Sequence, residues 1–162
     1  MARSHDIGPF DCGIESLNIW LKRFAWTNTQ NDAARVYVAH RRDSVVVGYH
    51  ALVAGEIRRE ETPERIGRGL AAHPVGIIVL GRLAVDLSAQ GCGLGRALLQ
   101  DALLRAEQAA EVIGVRAVMV QAINQRARDF YLRFGFTPTA ADDKRLLLLM
   151  KDLRNFLKGQ LQ

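Results

Sequence analysis

The chain has 162 residues, a length that fits one domain with an adequate core, and its 49% hydrophobic share is that of an ordinary soluble protein. Met1 to Phe10 lacks a basic-then-apolar leader and no apolar run reaches the roughly 20 residues of a membrane helix, so a cytoplasmic protein with no membrane partner is expected. The net charge is +5 and every basic residue except Lys22, Lys144, Lys151 and Lys158 is arginine, whose planar fork suits phosphate and stacks on bases; a GC-rich coding sequence would also favour Arg, but would not explain the positive net charge.

In chain order, Ser16 is a candidate N-cap, and Leu17, Trp20, Leu21, Phe24 and Ala25 follow at i, i+3, i+4, i+7 and i+8. That spacing predicts an amphipathic helix to about Thr29, ended by Asn28 to Asp32. Ala34 to His40 and Val45 to Ala54 read as strands joined by a polar hairpin, Arg41-Arg42-Asp43-Ser44. Glu56 to Pro74 is charged, carries Pro63 and two glycines, and reads as a loop with room for one helical turn. The apolar run Gly76 to Val85 predicts a buried central strand, Leu94 to Ala110 a helix, and Val115 to Gln121 another strand. Asn124 to Phe134 predicts a short helix stopped by Gly135, and a last strand falls near Arg145 to Met150. The whole is one continuous α/β unit without internal repeats.

The most telling segment is Gly81-Arg82-Leu83-Ala84-Val85-Asp86 followed by Gln90-Gly91-Cys92-Gly93-Leu94-Gly95-Arg96. A strand that runs into a glycine-rich turn opening a helix leaves backbone N–H groups at a positive helix end, which suits a pyrophosphate. A nucleoside-triphosphate loop would need Lys and then Ser or Thr after its last glycine, and here Gly95 precedes Arg96-Ala97. A dinucleotide fingerprint would need G-x-G-x-x-G and a later acidic residue, whereas Gly91, Gly93 and Gly95 are spaced by twos and the next strand ends in Gln121-Ala122. Cys12 and Cys92 lack metal spacing, so neither a disulfide nor a metal site is expected.

What remains, Gln90-x-x-Gly93-x-Gly95, resembles the GNAT family of N-acetyltransferases, in which this motif cradles the pyrophosphate of acetyl-coenzyme A. The segment from Asn124 to Phe136 is similar to the family's other signature, an Asn that opens a helix and a Tyr near its end before Gly-Phe. Asn124 and Tyr131 are seven apart, about two helical turns, which puts both on one face. Phe130 and Phe134 already form an i, i+4 core stripe, and the residue one turn before Tyr131 on its own face is only Ala127, so Tyr131 is expected apart from them. Phe10-Asp11-Cys12-Gly13, Val46 to Leu52, Leu80 to Asp86 and Leu99 to Ala102 further resemble the GNAT toxins of bacterial toxin-antitoxin modules. The resemblance implies a central mixed twisted sheet flanked by helices, acetyl-CoA as cosubstrate, and acetylation of the α-amino group on aminoacyl-tRNA. It also implies a ribbon-helix-helix antitoxin and a homodimer.

Acetyl transfer to an amine needs a neutral nucleophile, a stabilised oxyanion and a proton for the departing thiolate. Tyr131 is the candidate general acid, since a phenol with a reference pKa near 10 keeps its proton at neutral pH. The backbone of Leu83, Ala84 and Val85 is the candidate source of oxyanion donors, with Gln90, Gly91, Cys92, Gly93, Leu94, Gly95, Arg96 and Asn124 as the further cofactor-binding residues. The central strand has no carboxylate, and Asp86 at its end reads as a cap of the turn, which fits an α-amine titrating near 8 better than a lysine. His50 and His73 are the remaining candidate bases. Arg35 and Arg82 are candidate tRNA contacts, with an internal salt bridge as the alternative for Arg82. The other functions left open are a housekeeping acetyltransferase for a small amine or protein N-terminus, and a non-catalytic acyl-CoA-binding module.

Overall fold

A computed structural model describes residues 1–70 and 73–160. Six segments form one sheet: β1 Arg35–His40, β2 Val46–Ile57, β3 Val75–Val85, β4 Ala117–Gln121, β5 Thr137–Pro138 and β6 Arg145–Leu149, in the spatial order β1-β2-β3-β4-β6-β5. The helices are α1 Glu15–Arg23, α2 Ala25–Gln30, α3 Glu64–Gly67, α4 Leu94–Ala110, α5 Gln125–Leu132 and α6 Met150–Gln160. The sheet is mixed, as expected: β3 and β4 run parallel, while β1 and β2, β4 and β6, and β5 and β6 are antiparallel. Residues 71 and 72, inside the expected Glu56 to Pro74 loop, lie outside the described residues; Arg59–Glu61 and α3 supply its short helical turns.

The chain folds as two compact units. The first comprises Met1–Val53 and Gly81–Ala102. Phe10, Leu21, Val36, Val46, Tyr49 and Ala84 are buried in one cluster, with Leu17 and Trp20 of α1 packed against it. On the opposite face of β2 stands Gly48, where a Cβ would lie 2.8 Å from Leu98 Cδ1 and 3.3 Å from Leu94 Cδ2. Only a residue without a side chain lets α4 sit that close. One helical turn further, Asp101 meets His50.

The second unit comprises Ala54–Leu80 and the chain from Leu103 onward. Its buried cluster joins Ile57, Ile66, Val75, Ile77, Ala117, Leu147 and Leu149. Arg65 of α3 grips Asp152 of α6 with both guanidinium nitrogens, Nη2 to Oδ1 at 2.7 Å, a fork that fixes α6 in orientation.

Three expected boundaries shift. Ser16 is not the N-cap: α1 starts at Glu15 behind the extended Ile14, whose carbonyl takes the Leu17 and Asn18 N–H groups. The helix expected to reach Thr29 is interrupted at Phe24 and resumes as α2, because the backbone there opens to φ −116°. The last strand stops at Leu149, and Met150 begins α6, a helix beyond the expected elements. The apolar run Leu146 to Met150 hides that change of period, although Leu153, Phe156 and Leu157 at i+3, i+6 and i+7 signal it.

Candidate active site

In the first unit the site is made of backbone. Asp86 N–H bonds the Val47 carbonyl at 2.8 Å and the Ala84 carbonyl lies 3.4 Å from a Cβ built on Gly48, so the even-numbered end of β3 faces β2. The Gly81 and Val85 carbonyls instead receive side-chain donors, Arg82 Nη1 at 2.7 Å and Gln90 Nε2 at 2.9 Å. The N–H groups of Leu83 and Val85 therefore point to the side away from β2. The parallel ladder of β3 with β4 ends at Leu80↔Val120, and β3 continues to Val85 beyond it. Of the nominated donors, Leu83 and Val85 point away from β2 and Ala84 does not.

After β3 the chain turns through Leu87–Ala89 and reaches the glycines. Gly91 at φ +79° and Gly93 at φ +86° occupy the left-handed region that a side chain disfavours, and a Cβ on either would meet nothing within 4 Å. Open space above positive-φ glycines leaves room for a ligand to lie on the main chain. The first intrahelical bond of α4 runs from Ala97 N–H to the Gly93 carbonyl at 3.1 Å, so the N–H groups of the first turn point out of the helix end. Gly91, Cys92 and Gly93 are exposed, and Leu94, Gly95 and Arg96 follow at the helix start. The Gln90 side chain, nominated as a ligand contact, donates to the Val85 carbonyl and, at 3.2 Å, to the Cys12 carbonyl.

In the second unit, Asn124 caps α5: its Oδ1 accepts the Ala127 N–H at 2.8 Å from an extended backbone at φ −157°. The seven-residue spacing to Tyr131 thus starts from a residue outside the helix, and its acceptor is turned toward α5. Tyr131 is 5% exposed and packs edge-on against Phe130 and Phe136, with ring centroids 5.2 and 5.5 Å away. The expected separation from the phenylalanines is corrected to this extent: Phe130 and Phe134 do pair at 5.0 Å, yet Phe130 also touches Tyr131. Burial alone pushes the Tyr131 phenol well above its ordinary pKa.

No free base emerges from the other candidates. His50 is fully buried, stacked on Tyr37, with Nε2 2.7 Å from Asp101 Oδ2. His73 is exposed and its Nδ1 bonds the adjacent Pro74 carbonyl. Burial would raise the Asp86 carboxyl, but the Asp11 N–H and both donors of Ser88 outweigh it and hold the group below its ordinary value. It serves as the cap it resembled. Arg82 does have an internal partner, though not a carboxylate: its guanidinium lies 5.2 Å from the Trp20 ring centroid and bonds the Gly81 carbonyl. Arg35 is exposed and pairs only locally, with Asp32 at 2.8 Å.

A mixed sheet whose central strand outruns its parallel neighbour and feeds a glycine turn at a helix start fits an α/β acyltransferase, the class that the family match shows. The chain belongs to the GNAT acetyltransferases: residues 32–138 match the family described as Acetyltransferase (GNAT) domain. It is 42% identical over 149 residues to a tRNA-acetylating toxin of Mycobacterium tuberculosis (strain ATCC 25618 / H37Rv), covering 92% of this chain and 89% of that protein. Among solved structures it resembles AtaT complexed with acetyl-methionyl-tRNAfMet, with a TM-score of 0.89 and 28% identity over 96% of this chain and 94% of the other. It also resembles a tyrosine-to-phenylalanine mutant of the AtaT toxin bound to the C-terminus of the antitoxin AtaR and acetyl-CoA, with a TM-score of 0.81 and 28% identity over 94% and 91% of the two chains.

Proposed function

We propose that this single-domain GNAT enzyme transfers the acetyl group of acetyl-CoA to the α-amino group of aminoacyl-tRNA and so acts as a toxin that blocks translation. The observation that carries the reading is the main-chain cradle from Gly91 to Gly95, in a chain whose likeness to a tRNA-acetylating toxin spans nearly its whole length. In this reading the N–H groups of the glycine turn and of the first turn of α4 bind the pyrophosphate. Acetyl-CoA supplies the acetyl thioester. Leu83 and Val85 offer N–H donors to the oxygen that gains charge, and the Tyr131 hydroxyl gives its proton to the departing thiolate. No residue is assigned as base, because an α-amine titrating near 8 is partly neutral already at pH 7.

The cationic, arginine-rich surface serves the tRNA backbone, with Arg35 and Arg82 as contacts. An antitoxin of the ribbon-helix-helix type neutralises the enzyme, which works as a homodimer in the cytoplasm. Incubation with charged tRNA and labelled acetyl-CoA tests the reaction: label is expected on the aminoacyl group. Transfer to small amines that outpaces transfer to aminoacyl-tRNA at every salt concentration would overturn it in favour of a housekeeping enzyme.

A further inference from the structure

Phe10-Asp11-Cys12-Gly13 lies before residue 32, where the match to the acetyltransferase family begins, and none of its side chains belongs to the site above. The turn it forms is nevertheless bonded to the root of the glycine loop. Asp11 N–H donates to Asp86 Oδ2 at 2.8 Å, and the Asp11 carbonyl accepts the Leu87 N–H at 2.8 Å. Gln90 Nε2 bridges the Cys12 carbonyl and the Val85 carbonyl, joining the turn to the end of β3. The turn has its own internal frame. Asp11 Oδ1 accepts from Gly13 N–H and Asn18 Nδ2, and the Oδ1 of the buried Asn18 in turn accepts the Cys12 N–H. Gly13 closes it at φ +85°.

A loop that binds through the direction of its N–H groups must hold that direction before the ligand arrives, or the ligand must spend affinity ordering it. Nothing lies within 4 Å of a Cβ built on Gly91 or Gly93, and glycine is the costliest residue to immobilise. Beyond the Cys92 Sγ bond to the Ala89 carbonyl and the Ala97 N–H bond to the Gly93 carbonyl, the order of the loop comes from the root, Asp86 to Gln90. There the Asp11 and Cys12 backbone supplies a donor and two acceptors.

We infer that the Asp11 to Gly13 turn is a positioning element for the acetyl-CoA loop, acting through Asp86 and Gln90. The inference rests on the reading of Gly91 to Gly95 as the pyrophosphate site. It also gives Gln90 a different role: the amide nitrogen orients the loop instead of meeting the ligand.

The test measures acetyl-CoA Kd by calorimetry, and KM against kcat, on the full chain. Gln90→Leu removes the bridging donor from an exposed side chain, and Asp86→Asn puts a donor where the Asp11 N–H needs an acceptor. Gly13→Ala strains the turn at positive φ and sets a methyl group 3.3 Å from Leu87 Cδ2 at the root, leaving the glycines themselves unchanged. Each variant is expected to weaken acetyl-CoA on the order of 5- to 10-fold, the worth of one or two hydrogen bonds, with kcat at saturation retained. Gln90→Leu with Asp86→Asn should weaken it by less than the product of the singles, since both act through one turn. Effects that multiply, or a melting temperature that falls in Gly13→Ala with Kd unchanged, would overturn the inference. Gly93→Asp separates the two levels: if it alone abolishes binding, only the positioning role fails, whereas acetyl-CoA bound equally well by Gly93→Asp overturns the site itself.

Discussion

The glycine loop of the first unit and the tyrosine helix of the second hold their chemistry by opposite means. Gly91 to Gly93 is exposed and no side chain packs over its positive-φ glycines, so hydrogen bonds at its root fix it. Tyr131 is buried among Phe130 and Phe136, and its ring is fixed by contact. In the loop, backbone conformation and function are inseparable, because the groups that bind are the groups that fold. In the helix they come apart: the ring packs, while the hydroxyl is the group assigned the proton transfer in the proposed mechanism.

The largest expected effect exploits that separation. Tyr131→Phe keeps every ring contact and should leave the melting temperature and acetyl-CoA affinity unchanged. Turnover should fall by about 100- to 10,000-fold, the usual range for losing a general acid. A single-turnover rate equal to wild type would remove Tyr131 from the mechanism. The pH profile carries the same assignment. A phenol whose pKa is raised keeps its proton as pH climbs past the ordinary value near 10, so Tyr131 should cause no alkaline fall in kcat below about pH 10. The acid side should instead show the substrate α-amine losing its proton near pH 8.

Next comes the loop, where a side chain at a positive-φ glycine disturbs the fold of the site. Gly93→Asp places a Cβ at φ +86° and a carboxylate beside the phosphates, and should weaken acetyl-CoA by about 100-fold or more in calorimetry. Gly95→Asp sharpens the comparison. A Cβ there lies 3.7 Å from Val85 Cγ2, an ordinary contact, and an acid in the first turn of a helix is stabilising by about 0.3–1 kcal/mol. Gly95→Asp should therefore lose affinity through charge alone, by less than Gly93→Asp, while its melting temperature holds or rises.

These differences mark what the sequence could and could not reveal. The glycine turn was legible because positive φ demands a residue type, and Leu94–Ala110 because no breaker follows Gly95 in its seventeen residues. Asn124 was legible as the residue that opens α5, since a cap is local chemistry. The break at Phe24 was not, because no breaking residue marks it, and the start of α6 at Met150 was hidden by the apolar run that precedes its helical spacing. Nor could spacing reveal that Gln90 reaches back 78 residues to Cys12, or that Phe136, beyond Gly135, closes on Tyr131. Local conformation is written in residue type, while the partners of a side chain are written in the fold.

Smaller effects are expected at the arginines. Arg35→Glu touches an exposed, local ion pair of little worth to stability and should raise KM for charged tRNA about fivefold with no change in melting temperature. Arg82→Glu should raise it too, but lower the melting temperature, because the guanidinium leaves the Trp20 ring and the Gly81 carbonyl. KM for charged tRNA should climb steeply with salt, whereas acetyl-CoA affinity, resting on backbone N–H groups, should change far less. Equal salt dependence for both substrates would argue against an arginine-docked polyanion.

The smallest expected effect falls on Asn124, where capping and ligand binding compete as explanations for one side chain. Asn124→Ala removes the acceptor for the Ala127 N–H and should cost about 1 kcal/mol of stability, the usual worth of an N-cap, read as a modest fall in melting temperature. It should weaken acetyl-CoA less than either glycine substitution. Asn124→Asp separates the roles, since aspartate caps as well as asparagine but has no amide donor. If Asn124 acts only by capping, Asn124→Asp should match wild type in both stability and acetyl-CoA affinity. If its Nδ2 also reaches the cofactor, Asn124→Asp should keep the melting temperature and raise Kd, since it sets a carboxylate where a donor to an anion is needed. The second outcome would make Asn124 the point at which the tyrosine helix, like the glycine loop, binds with the same residue that shapes its backbone.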